Sequence, residues 1–238
     1  MTPSNPYQGR SLKLNLTRTL PNPDLNPYVK LMSGEFAKWA LTEEQAPLCK
    51  GRWREQVFEL AQSIPLDLEI GTGNGYHFAQ LAQANDSQRA LLGLELKYKP
   101  LVQSIRRAVR KKAQNVRIAR YDAGLVAHLF EAGEINNVYI HFPDPWEKKR
   151  QNKNRLIQDD FLTTLFDLQR PGSFLDFKTD SREYFDWALE KFAKSPYEIS
   201  AQTFDLHHSQ WKEQNFVTHF ESLFLEQGLP IHYARLTR

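Results

Sequence analysis

One stretch of the chain joins a carboxylate to a rigid turn, a flat ring and a burst of cations. It runs Tyr139-Ile-His-Phe-Pro-Asp-Pro-Trp-Glu-Lys-Lys-Arg-Gln-Asn-Lys-Asn-Arg155. Pro143 and Pro145 bracket Asp144. Each fixes φ and removes a backbone donor, so the strand-like run of Val138, Ile140 and Phe142 must end there. A carboxylate accepts from two donors at once, so Asp144 on a stiff turn is suited to hold a planar, polar group. Lys148, Lys149, Arg150, Lys153 and Arg155 follow, which fits a group attached to a polyanion. The alternative is a solvated cationic loop. Trp146 fits either stacking on a base or packing in a core. His141 reads as a packed or hydrogen-bonded strand residue.

The second constellation is Glu69-Ile-Gly71-Thr-Gly73-Asn-Gly75, between a strand-like run at Leu66–Ile70 and a helical pattern. Alternate glycines let a backbone turn sharply and approach a ligand closely. A dinucleotide fingerprint wants its third glycine where Tyr76 stands, and the Gly-Lys-Ser/Thr of a P-loop is absent. The pattern instead resembles motif I of S-adenosylmethionine-dependent methyltransferases of the Rossmann-like class. That cofactor carries no phosphate, so a carboxylate beside the glycines is compatible with it. The alternative is a tight strand–helix turn with no ligand. Glu95 ends the next strand-like run, where doubly wound nucleoside sites place an acid on the ribose hydroxyls; otherwise it is a solvent-facing acid. Asp122 follows the third run and either accepts from an adenine amino group or caps the helix starting at Ala123.

The elements around these loops alternate. Strands are expected at Leu66–Ile70, Leu91–Leu96, Val116–Ala119, Asn137–Phe142, Ser173–Lys178, Tyr197–Phe204 and Pro230–Leu236. Helices are expected at about 51–63, 76–84, 98–113, 124–132, 158–169 and 181–194, with another ending near Gly228. This is the rhythm of an α/β fold: a doubly wound, seven-stranded, mostly parallel sheet with an antiparallel C-terminal strand. From Lys97 to Arg120 there are nine basic residues and no acid. Leu101, Val102, Ile105, Ala108 and Val109 form the buried stripe of the helix there, leaving Arg106, Arg107, Arg110 and Lys111 outward as a solvated face or a phosphate-facing one. Residues 1–34 are rich in Pro, Asn and Thr and read as an arm, either frayed or ordered by an anionic partner.

The 238 residues, 41% hydrophobic and 25% charged, are enough for one full core. The net charge of +3 is too small to argue nucleic-acid binding by itself; the grouping of charge argues more. No apolar run is long enough to cross a membrane, and the polar N-terminus has no secretory h-region. The single cysteine, Cys49, builds neither an internal disulfide nor a thiolate metal site, which fits a reducing cytoplasm.

Taken together, the chain resembles the bacterial tRNA (guanine-N7)-methyltransferase family. The likeness runs from Leu66 to the C-terminus and is strongest at Phe142-Pro-Asp-Pro-Trp-x-Lys-Lys-Arg. Phe177-Lys-Thr-Asp180 and Thr218-His-Phe-Glu221, followed by Gly228-Leu-Pro-Ile, agree with it. Gln151 and Asn154 stand where the family often has His and Arg. The resemblance implies methyl transfer from S-adenosylmethionine to N7 of guanine 46 in the tRNA variable loop, without a metal. It assigns Glu69, Gly71, Gly73, Gly75, Glu95, Asp122 and Asp144 to the cofactor, with Asp144 also catalytic. Lys148, Arg150, Asp180, Thr218, His219, Phe220 and Glu221 would meet the tRNA. Residues 1–50 would be an extension, partly disordered, and 51–238 the methyltransferase domain, acting as monomer or homodimer. Rival readings are a methyltransferase of another RNA or a protein, and a non-catalytic RNA-binding relative.

Overall fold

The structure, a computed structural model, describes residues 26–85 and 88–238. Among them eight strands form one sheet: β1 (Ala40–Leu41), β2 (Leu66–Ile70), β3 (Ala90–Leu94), β4 (Val116–Ala119), β5 (Val138–His141), β6 (Phe174–Thr179), β7 (Glu198–Thr203) and β8 (His232–Thr237). Their order is β1-β4-β3-β2-β5-β6-β8-β7. The pairs among β1 to β6 are parallel, while β8 is antiparallel to both neighbours. The central strands are buried along their length, as a parallel sheet covered on both faces requires. The α-helices are α1 (Pro27–Ser33), α2 (Tyr76–Asn85), α3 (Tyr98–Arg110), α4 (Asp159–Leu168), α5 (Arg182–Phe192) and α6 (His219–Glu226).

Two apolar clusters sandwich the sheet. On one face the stripe of α3 (Leu101, Val102, Ile105, Ala108) packs with Phe78 and Ala82 of α2 and with Leu91, Val116 and Ile118. On the other, Phe161, Leu162 and Leu165 of α4 and Tyr184, Phe185 and Ala188 of α5 close over Leu68, Ile140, Leu175 and Phe177.

The architecture is the expected one, with several local differences. An eighth strand, the two-residue β1, pairs with β4. The last strand inserts between β6 and β7, so β7 forms the edge. The helix expected over 51–63 is only a turn at Trp53–Val57, because buried side chains dictate the path there. Trp53 Nε1 donates to Leu129 O at 2.7 Å, and the buried Arg54 reaches Ile64 O and Glu134 O. Similarly, α3 stops at Arg110 because Lys112 takes φ +63°, and the helix expected at 124–132 is a short 3-10 turn kinked at Leu125. Part of the expected extension is folded: Asn26 caps α1, Pro27 opens it, and Met32, Phe36 and Ala40 pack against α3 and β4. Residues 1–25 lie outside the described residues.

Candidate active site

In an open α/β sheet, ligands bind beyond the carboxyl ends of the strands where strand order reverses. The reversal here lies between β2 and β5, which are neighbours. The two loops singled out by sequence leave those two strands.

The glycine loop owes its shape to α3. Gly71, Gly73 and Gly75 have φ of +77°, +52° and +77°. A Cβ on Gly75 would lie 2.3 Å from Ser104 Cα, so only glycine fits there. Ser104 Oγ donates to Gly73 O at 2.9 Å, which leaves its oxygen to accept from Thr72 Oγ1 at 2.9 Å. Arg107 Nε donates to Asn74 O, and its guanidinium lies 3.8 Å over the Tyr76 ring. A side chain on Gly71 would meet nothing within 4 Å, so the loop presents open space there.

Two carboxylates, Glu69 and Glu95, flank this loop, and a third, Asp122, follows β4. Glu95 accepts from the Gly73 and Lys97 backbone N–H groups at 3.0 and 2.9 Å, leaving lone pairs on both oxygens. Burial raises its pKa, and those same N–H groups oppose the shift. Glu69 is buried and bonded to His77 Nδ1 at 2.8 Å. Asp122 performs the capping role, with Oδ1 accepting from Gly124 N at 2.9 Å.

The proline turn is strained at both ends. Phe142 and Trp146 take φ of +53° and +47°, a region costly for bulky residues. At about 1–3 kcal/mol each, such strain persists only where the surroundings over-determine it. Phe142 N donates to Lys178 O, and its ring packs 5.6 Å from Phe224. Beyond Asp144, Arg155 Nε donates to Pro145 O at 2.8 Å while its guanidinium is buried over Tyr184 and Trp187 and pairs with Glu183. Asp144 is exposed and makes no hydrogen bond to another described residue. The chain thus fixes everything around this carboxylate and leaves the carboxylate open. His141 is not hydrogen-bonded: neither ring nitrogen has a partner among the described residues. Burial, Lys178 and His77 push its pKa well below the usual value, so it is a neutral packed residue.

The third component is α6. Thr218 and Glu221 form a capping box at its start. The ring of Phe220 is exposed and lies 3.9 Å from where a side chain on Gly73 would begin. Asp180 follows β6 half-buried, and burial raises its pKa. His219 opens α6, but its side chain lies outside the described residues. Lys148 and Arg150 are exposed beside the proline turn.

Other cations of the two basic groups turn inward. Arg155 braces the proline turn, Arg120 is buried against Glu43 and Tyr98, and Arg117 donates to Val116 O. Arg107 serves the glycine loop. Sequence alone shows their charge but not their burial. The one available signal is Ser104, a small polar residue within the apolar stripe of α3.

The family model "Putative methyltransferase" matches residues 63–234. A tRNA (guanine-N(7)-)-methyltransferase of Bdellovibrio bacteriovorus is 52% identical over 207 residues, covering 87% of this chain and 99% of the relative. The chain belongs to the tRNA (guanine-N7)-methyltransferase family. Members of the same name from Clostridium novyi and Bacillus subtilis are each 34% identical, covering 78% and 79% of this chain and 85% of theirs. Among solved structures, the 16S rRNA methyltransferase KamB aligns with a TM-score of 0.54 at 14% identity, covering 77% of this chain and 90% of that one. That likeness is one of fold. The family's cofactor, S-adenosylmethionine, fits the residues present. The open glycine loop, the lone pairs of Glu95 and the unshared carboxylate of Asp144 suit a ligand that donates hydrogen bonds and carries positive charge.

Proposed function

We propose that this methyltransferase modifies N7 of the guanine at position 46 in the tRNA variable loop. The observation that carries the reading is Asp144, an open carboxylate on a doubly strained turn at the strand-order reversal, with exposed Lys148 and Arg150 just beyond it. Bound S-adenosylmethionine supplies the methyl group and the sulfonium charge. Glu69, the three glycines, Glu95 and Asp122 hold its two ends, and Asp144 lies where cofactor and guanine meet.

Guanine N7 presents an in-plane lone pair and no proton, so no general base is needed. His141, neutral and without a hydrogen-bond partner among the described residues, is consistent with that. The protein's task is alignment of the reacting atoms. Asp144 accepts from the guanine N1–H and amino group and offsets the positive charge that develops on the purine. Phe220 covers the base from the α6 side, and Asp180 and Thr218 orient it. Lys148 and Arg150 take the phosphates. On this reading the enzyme works in the cytoplasm as a monomer or homodimer.

The test is methyl acceptance by paired tRNA transcripts. A transcript with guanine 46 replaced by adenine is expected to accept no methyl group, while the unaltered transcript accepts one. Equal acceptance by both would refute the position.

A further inference from the structure

Glu221 is the most heavily bonded carboxylate near the site, and none of its surface is exposed. Its Oε1 accepts from His207 Nε2 at 2.8 Å and Asn215 Nδ2 at 2.6 Å. Its Oε2 accepts from Lys178 Nζ at 3.3 Å and Thr218 N at 3.3 Å. Four donors fill the roughly four lone-pair sites of an ionised carboxylate. No acceptor capacity and no surface remain for a substrate. Lys178 is equally committed. Its three donors go to Glu221, Asn215 Oδ1 and Phe216 O, and it is buried in β6 directly before Thr179-Asp180.

Four separate parts of the chain therefore converge on one ion pair. They are β6 through Lys178, the turn at Leu206–His208 through His207, the loop at 215–216, and the start of α6. What projects from this knot toward the cofactor loop is Phe220.

We propose that Lys178 and His207 are positioning residues for the tRNA end of the site: they clamp Glu221, and through it fix Thr218 at the start of α6 and Phe220 over the glycine loop. Glu221 is thus a structural hub and does not touch the base. This deepens the guanine-N7 reading and rests on it.

An interaction of this kind has a signature that direct substrate contact lacks. Removing one partner leaves a buried charge unpaired, whereas removing both charges does not. Lys178→Met, Glu221→Gln and the double variant are compared by kcat and KM on tRNA, S-adenosylmethionine affinity and melting temperature. Lys178→Met is expected to lower kcat by about 10–100-fold, the scale of a misplacement of about 1 Å, with cofactor affinity kept. The double variant is expected to regain about tenfold or more over Lys178→Met. His207→Gln, which keeps a donor, is expected to outperform His207→Leu.

A folded double variant no more active than Lys178→Met would overturn the clamp and put the Glu221 charge on the substrate. Full activity in Lys178→Met would also overturn it. If Lys178→Met does not fold, the double variant decides alone: folded and active supports the clamp, folded and inactive refutes it. Wild-type enzyme assayed in parallel on tRNA tests the function itself, so the two failures are distinguishable.

Discussion

Gly75→Ala separates two costs that the glycine loop imposes. Both Gly71 and Gly75 have φ of +77°, so an alanine at either carries the left-handed penalty of about 1–2 kcal/mol. The surroundings differ. At Gly71 the new Cβ meets nothing within 4 Å. At Gly75 it meets Ser104 Cα at 2.3 Å, Oγ at 2.6 Å and Cβ at 2.7 Å. The nearest atom is backbone, so α3 must move, which adds about 1–3 kcal/mol of overpacking. Gly71→Ala is therefore expected to cost about 1–2 kcal/mol and Gly75→Ala about 2–5 kcal/mol. In thermal melts, at about 2–4 °C per kcal/mol for a chain of this size, Gly75→Ala should lie clearly below Gly71→Ala. Adding Ser104→Gly to Gly75→Ala should restore little, because the closest contact is an α-carbon. Equal costs at the two glycines, or full rescue by Ser104→Gly, would refute the packing argument.

Arg155→Met removes the brace on Pro145 O while keeping much of the apolar stem. It should lower kcat by about 10–100-fold with S-adenosylmethionine affinity intact, measured by single-turnover kinetics and calorimetry. Lys148→Ala and Arg150→Ala should each weaken tRNA binding and flatten its log–log salt slope by about 1, whereas Arg155→Met should leave the slope unchanged. Burial raises the Asp180 carboxyl pKa above its ordinary value of 3.8. The stability this group contributes is full below that value and lost as pH rises through the folded pKa. Asp180→Asn should accordingly melt above wild type at neutral pH, match it below about pH 3.8, and still transfer methyl groups poorly.

The sheet was legible because its strands are apolar runs at regular intervals, and Val116–Ala119 and Leu66–Ile70 stand where the pattern places them. The differences have local causes. A two-residue strand such as β1 leaves no periodicity to read. Lys112 ends α3 in a left-handed conformation without the glycine that usually marks such an end. The start of α1 did carry a signal, Asn26-Pro27 before an apolar spacing of Tyr28, Leu31 and Met32, but it was masked by the proline-rich surroundings. In the site, the motifs located the two loops. They did not distinguish Lys148, which faces solvent, from Arg155, which is sandwiched on Tyr184 and Trp187 some 30 residues along the chain. Nor does the Thr218–Glu221 string carry any sign that the Glu221 carboxylate accepts four hydrogen bonds from within the chain. Charge is written in a residue's type; burial depends on partners that only the fold brings near.

Guanine-N7 transfer is tested by incubating the enzyme with methyl-labelled S-adenosylmethionine and unmodified tRNA, digesting the product, and mapping the label by mass. One 7-methylguanosine is expected, in the variable loop, formed by wild type and absent with a folded Asp144→Ala variant. Label on another base, or near-normal turnover by Asp144→Ala, would contradict it.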